Sequence, residues 1–323
     1  MDNSRIIGYT KEAEDFIDRW YDPSEYISAN TSGSTGAPKE IHLLKSDMII
    51  SAKATNAFFG INSSSELALP LSISYIAGKM MIVRSLIAGC KLHIVKPNLD
   101  PLKDLPDDML FNLFPIVPAQ ISGLLSHKNL CDRLQNIIVG GAPTTPQQEK
   151  QLSAIGIPVY ATYGMTETAS HVALRRIGAD DYYTALPGIE FDVDSRSCLV
   201  IKSEDASYHK IVTNDCVSLI SPNRFRWLGR VDNVINTGGI KVYPEAIEKK
   251  LYALMGNRAF YISSRPSEKW GSEIILYVEG TDFDKEEFRA KESEILDQKL
   301  IPKDIITVEK FERTESGKII RRK

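Results

Sequence analysis

At 323 residues and 43% hydrophobic content, the chain is long enough to bury a large core, and its length predicts two domains more readily than one. Its net charge is −3, and Lys and Arg are interleaved with Asp and Glu apart from the short basic end, which argues against nucleic acid or an anionic membrane surface as partner and for a small molecule. Cys90, Cys131, Cys198 and Cys216 lack C-x-x-C spacing and the five histidines lack ligand spacing, so neither a disulfide frame nor a zinc site is expected. The charged start and the lack of any apolar run of about 18 residues predict a cytoplasmic protein without membrane insertion.

Along the chain, the first segment that carries chemistry is 31-TSGSTGAPKEIHL-43. Gly33 and Gly36 let a backbone approach an anion closely, and Ser32, Ser34, Thr35 and Lys39 supply donors. It is not a P-loop, because Lys does not directly follow the second glycine; Pro38 and the β-favouring run 41–44 predict that the loop feeds a strand. Helices are expected over 47–59 and 74–88, the second stopped by Gly89 ahead of a strand at 91–97. Strands at 110–114, 137–141 and 158–164 alternate with helices at 118–126 and 145–155, which is α/β layering with ligands expected at the carboxyl ends of the strands. From Gly188 the pattern changes to short alternating strands, read as a small antiparallel sheet or barrel. Beyond Gly238-Gly239, a helix at 244–255, a strand at 274–280, a charged helix at about 284–300 and a strand at 305–311 form a compact α+β unit. The domain boundary is expected at 230–232, giving domains 1–230 and 231–323.

Five segments in this order, 31-TSGSTGAPK-39, 140-GGAP-143, 163-YGMTET-168, Asp215 within VTNDC, and 228-LGRVDNVINTGGIKVYPEAIE-248 followed by 314-TESGKIIRR-322, resemble the acyl-adenylate-forming (AMP-binding, acyl-CoA synthetase) superfamily. The resemblance runs from about Thr31 to the C-terminus. It implies an adenylate-forming enzyme fold, with a large N-terminal domain of α/β layers plus a small antiparallel β subdomain and a small mobile α+β C-terminal domain. It also implies ATP and CoA as co-substrates, Mg²⁺ as cofactor and a carboxylic acid as the third small-molecule partner; a homo-oligomer is left open.

The same resemblance assigns roles. Thr31, Ser32, Gly33, Ser34, Thr35, Gly36 and Lys39 would form the loop holding the β- and γ-phosphates of ATP. Gly140, Gly141 and Ala142 would lie flat against adenine with Tyr163 offering a ring face, and Gly164 and Met165 would complete the ATP-binding strand end. Thr166 would meet the α-phosphate and Glu167 the Mg²⁺, an ion that commonly takes only one or two protein carboxylates. Asp215 and Arg230 would hold the ribose hydroxyls, a carboxylate being a natural acceptor for a vicinal diol. Asp232 would be the hinge, and Gly238 and Gly239 the loop that approaches the pantetheine of CoA. Lys318 would stabilise the charge that grows as the acid attacks the α-phosphate.

Within the superfamily, 163-YGMTETASHVALR-175 and 69-LPLSISYIAGKMMIVRSLIAG-89 look most like the o-succinylbenzoate–CoA ligases of menaquinone biosynthesis, which places Tyr75, Arg84 and Ser170 at the acid. Tyr75 stands where that family usually has histidine. Only about thirty residues precede the phosphate loop, so the large domain is expected to be truncated, without the usual N-terminal subdomain. A CoA ligase for another small acid, a carrier-protein-loading adenylation domain and a non-catalytic nucleotide-binding relative remain alternatives; CoA dependence separates the first two.

Overall fold

In a computed structural model the protein is described for residues 5–8, 10–30, 40–256, 258–313 and 319–321. It divides into two units, one comprising Met1–Asp192, Ile201–Ile211 and Ile220–Phe225, the other Val193–Val200, Val212–Leu219 and Arg226–Lys323.

After the short strand Ile6–Ile7, the first unit has a helix that the sequence reading did not anticipate, Lys11–Tyr21. Ala13, Phe16, Ile17 and Trp20 form its buried stripe at helical spacing, and Thr10 caps it by accepting from the Ala13 N–H at 3.2 Å. Next comes an antiparallel hairpin, Tyr26–Asn30 against Glu40–Leu44, with Asn30 opposite Glu40. Helix Lys45–Phe59 follows without a break. Helix Ile76–Ala88 is nearly apolar all round, with Met80, Met81, Ile82 and Val83 all fully buried, and Gly89 ends it in the left-handed conformation at φ 65°.

Besides the hairpin, two further sheets run through this unit among the described residues. One is parallel, in the order Ile6–Ile7, Lys91–Ile94, Glu66–Leu69. The other begins with parallel strands Phe114–Ile116, Ile137–Val139 and Val159–Gly164, then turns antiparallel through His171–Arg176 and Tyr183–Ala185. The parallel strands read as continuous apolar runs because both their faces are covered. The expected strand at 110–114 is shifted: the regular strand is Phe114–Ile116, while Phe111 and Leu113 make single bridges to different partners, Leu134 and Leu67. Alternating between two neighbours prevents a continuous ladder there. Helix Pro146–Ser153 starts at a capping box in which Thr145 Oγ1 accepts from Gln148 N–H at 3.1 Å and Gln148 Oε1 accepts from Thr145 N–H at 2.9 Å.

In the second unit, strands Phe260–Ser267 and Gly271–Glu279 pair antiparallel, and Asp304–Val308 joins them in parallel. Helix Pro244–Met255 buries Ile247, Leu251 and Met255 in a core with Ile262, Leu276 and Ile305. The charged helix runs Lys285–Ile295, shorter than expected. It stops because Leu296 turns to extended backbone and is buried, taking its side chain into that core. Among the described residues no helix is long and apolar enough to cross a membrane.

Candidate active site

Strand Val159–Gly164 meets His171–Arg176 with a slip in register between Tyr163 and Gly164. Only glycine fits at that point, since a Cβ on Gly164 would lie 2.4 Å from the Ser170 carbonyl oxygen. Met165 then leads into one turn of 3-10 helix, Thr166–Thr168. Thr168 Oγ1 accepts from the Met165 N–H at 3.1 Å and sits 2.7 Å from the Ser170 carbonyl, so it closes the turn on both sides. Ala169 follows at φ 60°, a left-handed conformation uncommon for a residue with a Cβ. This arrangement leaves Thr166 half-buried and Glu167 exposed.

Behind the turn lies a buried polar chain. Arg84 is 2% exposed, and its Nη2 donates to Ser170 Oγ at 2.7 Å. Ser170 Oγ is 3.4 Å from His171 Nδ1, and His171 Nε2 is 3.2 Å from Thr55 Oγ1, which donates to the Ser51 carbonyl at 3.1 Å. Thr55 is fully buried, one turn beyond Ala52 on the face of its helix that carries Met48. Arg84 makes no ion pair among the described residues, and its Nε has no hydrogen-bond partner. Burial pushes its pKa down to about 9, and burial with the Arg84 charge nearby holds His171 well below the usual imidazole value. The chain therefore contains one cation and a neutral histidine. Of the three residues expected at the acid, Arg84 and Ser170 are brought together; Tyr75 immediately precedes helix Ile76–Ala88, makes no side-chain capping bond to it and is 58% exposed.

Gly140, Gly141 and Ala142 leave strand Ile137–Val139 at its carboxyl end, with Gly141 at φ 84°. Gly140 donates its N–H to the Ile116 carbonyl at 3.1 Å, and a Cβ on it would meet Thr162 Oγ1 at 2.5 Å. The helix that follows is tied back by Glu149, which takes both terminal nitrogens of Arg175 at 2.5 and 3.2 Å. Such a forked pair fixes direction as well as distance. Tyr163 packs edge-on to Phe225 with 5.0 Å between centroids and lies 5.7 Å from Tyr183, over which Arg175 sits at 5.6 Å. Its ring orientation is thus set by an aromatic cluster.

In the second unit, Asp215 is buried and accepts from Arg230 Nη1 at 3.4 Å and from Trp227 Nε1 at 3.2 Å. Asp232 is exposed in the single turn Val231–Asn233, with its carboxylate 3.8 Å from Arg230. Strands Ile235–Thr237 and Ile240–Val242 pair with a two-residue Gly238-Gly239 corner, both glycines at positive φ, as a tight hairpin requires. The hairpin borders a cleft of about 310 Å³ lined by Arg196, Cys216, Asn236, Lys241 and Tyr243. Thr31, Ser32, Gly33, Ser34, Thr35, Gly36, Lys39 and Lys318 lie outside the described residues. The flanks of Lys318 are pinned: Arg313 pairs with Glu279 at 3.0 Å, and Arg321 forks onto the half-buried Glu248 at 2.7 and 2.8 Å.

Thr55, His171, Arg175, Glu149 and Trp227 were not among the expected site residues. The one signal available for Thr55 is a hydroxyl placed at helical spacing from Met48 and Ala52; for the others the deciding contacts are long-range.

The family model for AMP-binding enzymes matches residues 28–197. The chain belongs to that family. Among curated proteins, the 2-succinylbenzoate–CoA ligase of Lactococcus lactis is 24% identical over 93% of this chain and 71% of its own length. Among solved structures, an acyl-CoA synthetase (AMP-forming)/AMP-acid ligase II-like protein from Dyadobacter fermentans is 32% identical, with 97% of this chain and 92% of that one covered at a TM-score of 0.66. The o-succinylbenzoate CoA synthetase of Bacillus subtilis, in complex with the acyl-adenylate intermediate OSB-AMP, is 20% identical with a TM-score of 0.78, over 90% of this chain and 67% of that one. The fold is that of the adenylate-forming enzymes.

Proposed function

We propose that the protein is an ATP-dependent acid–CoA ligase that converts its acid first to an acyl-AMP and then to the CoA thioester, with 2-succinylbenzoate as the acid. The observation that carries the choice of acid is Arg84. A buried guanidinium with no carboxylate against it among the described residues is costly by itself, and an acid bearing a second negative charge offsets that cost. 2-Succinylbenzoate is such a dianion, whereas benzoate and fatty acids are not. The similarity to 2-succinylbenzoate–CoA ligases over nearly the whole chain supports the same reading.

A carboxylate is a poor electrophile at neutral pH, and the mixed anhydride with AMP converts one of its oxygens into a good leaving group. In this reading Gly140, Gly141, Ala142 and Tyr163 hold adenine, Asp215 and Arg230 hold the ribose, and Thr166 donates to the α-phosphate. The loop 31–39 and Lys318 bind the phosphates and the developing charge. Glu167 would hold Mg²⁺, which supplies charge neutralisation at the phosphates. The donor set fits that ion: Glu167 is the only carboxylate of its turn and is exposed, and among the described residues no group of three or more His, Cys, Asp or Glu converges. A hydrated ion that completes its shell with water and phosphate oxygens needs no more. Residues 231–323 then rotate about Asp232, withdrawing Lys318 and presenting Gly238-Gly239 to the CoA thiol, which displaces AMP.

The test is pyrophosphate release across a panel of acids, with and without CoA. 2-Succinylbenzoate is expected to lead, with AMP and the thioester as products. Faster turnover of benzoate, a short fatty acid or coumarate under equal conditions assigns a different acid.

A further inference from the structure

The buried chain behind the turn has a single internally consistent direction. Thr55 donates its one hydroxyl proton to the Ser51 carbonyl, so toward His171 it can only accept. His171 Nε2 must then carry the ring proton. A neutral imidazole protonated at Nε2 leaves Nδ1 as an acceptor, and the group within reach is the hydroxyl of Ser170 at 3.4 Å. Ser170, having donated to His171, accepts from Arg84. Every donor points one way, from the guanidinium through Ser170, His171 and Thr55 to the backbone of helix Lys45–Phe59. A proton added at Nδ1 would reverse the Ser170 link and place a second charge beside Arg84.

We infer that Thr55 and His171 are positioning residues for adenylation, holding Ser170 and, through it, the turn that carries Thr166 and Glu167. Three features locate the effect in that turn. Ser170 gives its carbonyl to Thr168 Oγ1 and its hydroxyl to the chain, so one residue links both networks. Ala169, immediately before it, is at φ 60°, a conformation that persists only when its surroundings hold it. Gly164 lies against the backbone of Ser170 and His171, so displacement of either moves the start of the turn too. The side chain of Thr55 makes its hydrogen bonds to Ser51 and His171, neither of which is assigned to a substrate.

This inference rests on the reading of Thr166 and Glu167 as the phosphate and metal residues, and the experiment separates the two. Thr55→Val keeps the shape of the side chain but removes the acceptor, and Thr55→Ser restores it. In pyrophosphate exchange with 2-succinylbenzoate, Thr55→Val is expected to raise the Mg²⁺ concentration for half-activity about tenfold, the low end for loss of a supporting partner behind a metal ligand. Thr55→Ser should recover the wild-type value. Thioester formation from preformed acyl-AMP and CoA should be unaffected in both. Independently of activity, ¹⁵N resonances of His171 should report the Nε2-protonated tautomer in the wild type and a mixture in Thr55→Val. An unchanged Mg²⁺ requirement, an equal loss in both half-reactions, or a wild-type His171 protonated at Nδ1 overturns the inference. A wild type without pyrophosphate exchange on any acid overturns the functional reading instead, and the tautomer measurement then still decides for or against the chain.

Discussion

The turn at 163–171 and the hairpin at 235–242, which the proposed function assigns to different half-reactions, are built in different ways. In the turn, shape is imposed from behind: a glycine without room for a Cβ, a threonine closing both ends, a strained Ala169 and a buried chain reaching the adjacent helix. In the hairpin, the corner is held on one side only: Gly238 donates its N–H to the Trp270 carbonyl at 3.0 Å, and a Cβ on it would meet the Trp270 ring at 3.1 Å. Gly239 sits at φ 80° with no atom within 4 Å of where a Cβ would be, and Asn236 and Lys241 face each other in register beside it. The first construction suits donors and a carboxylate that must be in place before phosphate charge develops. The second suits a surface that presents bare main chain to a thin, extended ligand arm. Under the proposed function, substitutions in each region should damage one half-reaction and spare the other.

The largest expected effect concerns Lys318. Removing one preorganised stabiliser of developing charge typically costs about 10²–10³ in rate. Lys318→Ala should lose that much in acyl-AMP formation while converting chemically made acyl-AMP and CoA to thioester at near the wild-type rate, as single-turnover assays of each step would read. Equal impairment of both steps would remove the basis for assigning the steps to separate faces of residues 231–323.

Glu167→Gln comes next. It keeps the side-chain shape but removes the charge, so adenylation should need about 10–100-fold more Mg²⁺, the range seen when metal-site partners are lost. The fold should stay intact by circular dichroism, since Glu167 is exposed. An unaltered Mg²⁺ titration would return Glu167 to the solvated surface.

Much of this arrangement can be read from local sequence, and the remainder depends on distance along the chain. Pro244 at the first position of a helix and Gly89 at the end of another specify their boundaries directly, and both elements fold close to where the pattern puts them. The capping box at Thr145 is likewise a three-residue signal. The segment around Gly164 is legible through its resemblance to the family, and the strand pairing adds the reason for the glycine, a slip in register. By contrast, Thr55 and His171 lie 116 residues apart, and nothing near either announces the other. The charged helix Lys11–Tyr21 escaped notice because its apolar stripe is thin beside six charged side chains in eleven residues. Strand Phe260–Ser267, with Arg265 and Pro266 near its end, gains its identity from an antiparallel partner and not from its own composition.

A third prediction tests the hairpin. Gly239→Val adds a β-branched side chain at positive φ, so the expected cost is backbone strain of about 1–2 kcal/mol without a steric clash, measured as a lowered denaturant midpoint at unchanged m-value. Thioester formation should slow while pyrophosphate exchange persists. If adenylation falls instead, the hairpin does not belong to the second half-reaction.

The smallest effect is a pH dependence that the turn should show and the hairpin should not. His171 is held well below the ordinary imidazole pKa, chiefly by burial and secondarily by the charge on Arg84, so the folded protein resists a proton that the unfolded chain accepts. Between the folded value and the unfolded value near 6.5, the unfolded state binds more protons. Stability therefore rises with pH through that window and is lost as pH falls below about 6.5, with a slope for this one group approaching 1.4 kcal/mol per pH unit. Above pH 7 the residue is neutral in both states and contributes no slope. His171→Gln removes the titration, and its amide can still offer an acceptor and a donor. Relative to wild type, the variant should be less stable at pH 7.5 and should regain ground steadily between pH 6.5 and 5, as chemical denaturation at matched ionic strength would show. The sign is the discriminating feature. A gap that widens toward low pH would mean that His171 gains a proton on folding, which neither its burial nor Arg84 allows, and the direction assigned to the chain would have to be reversed.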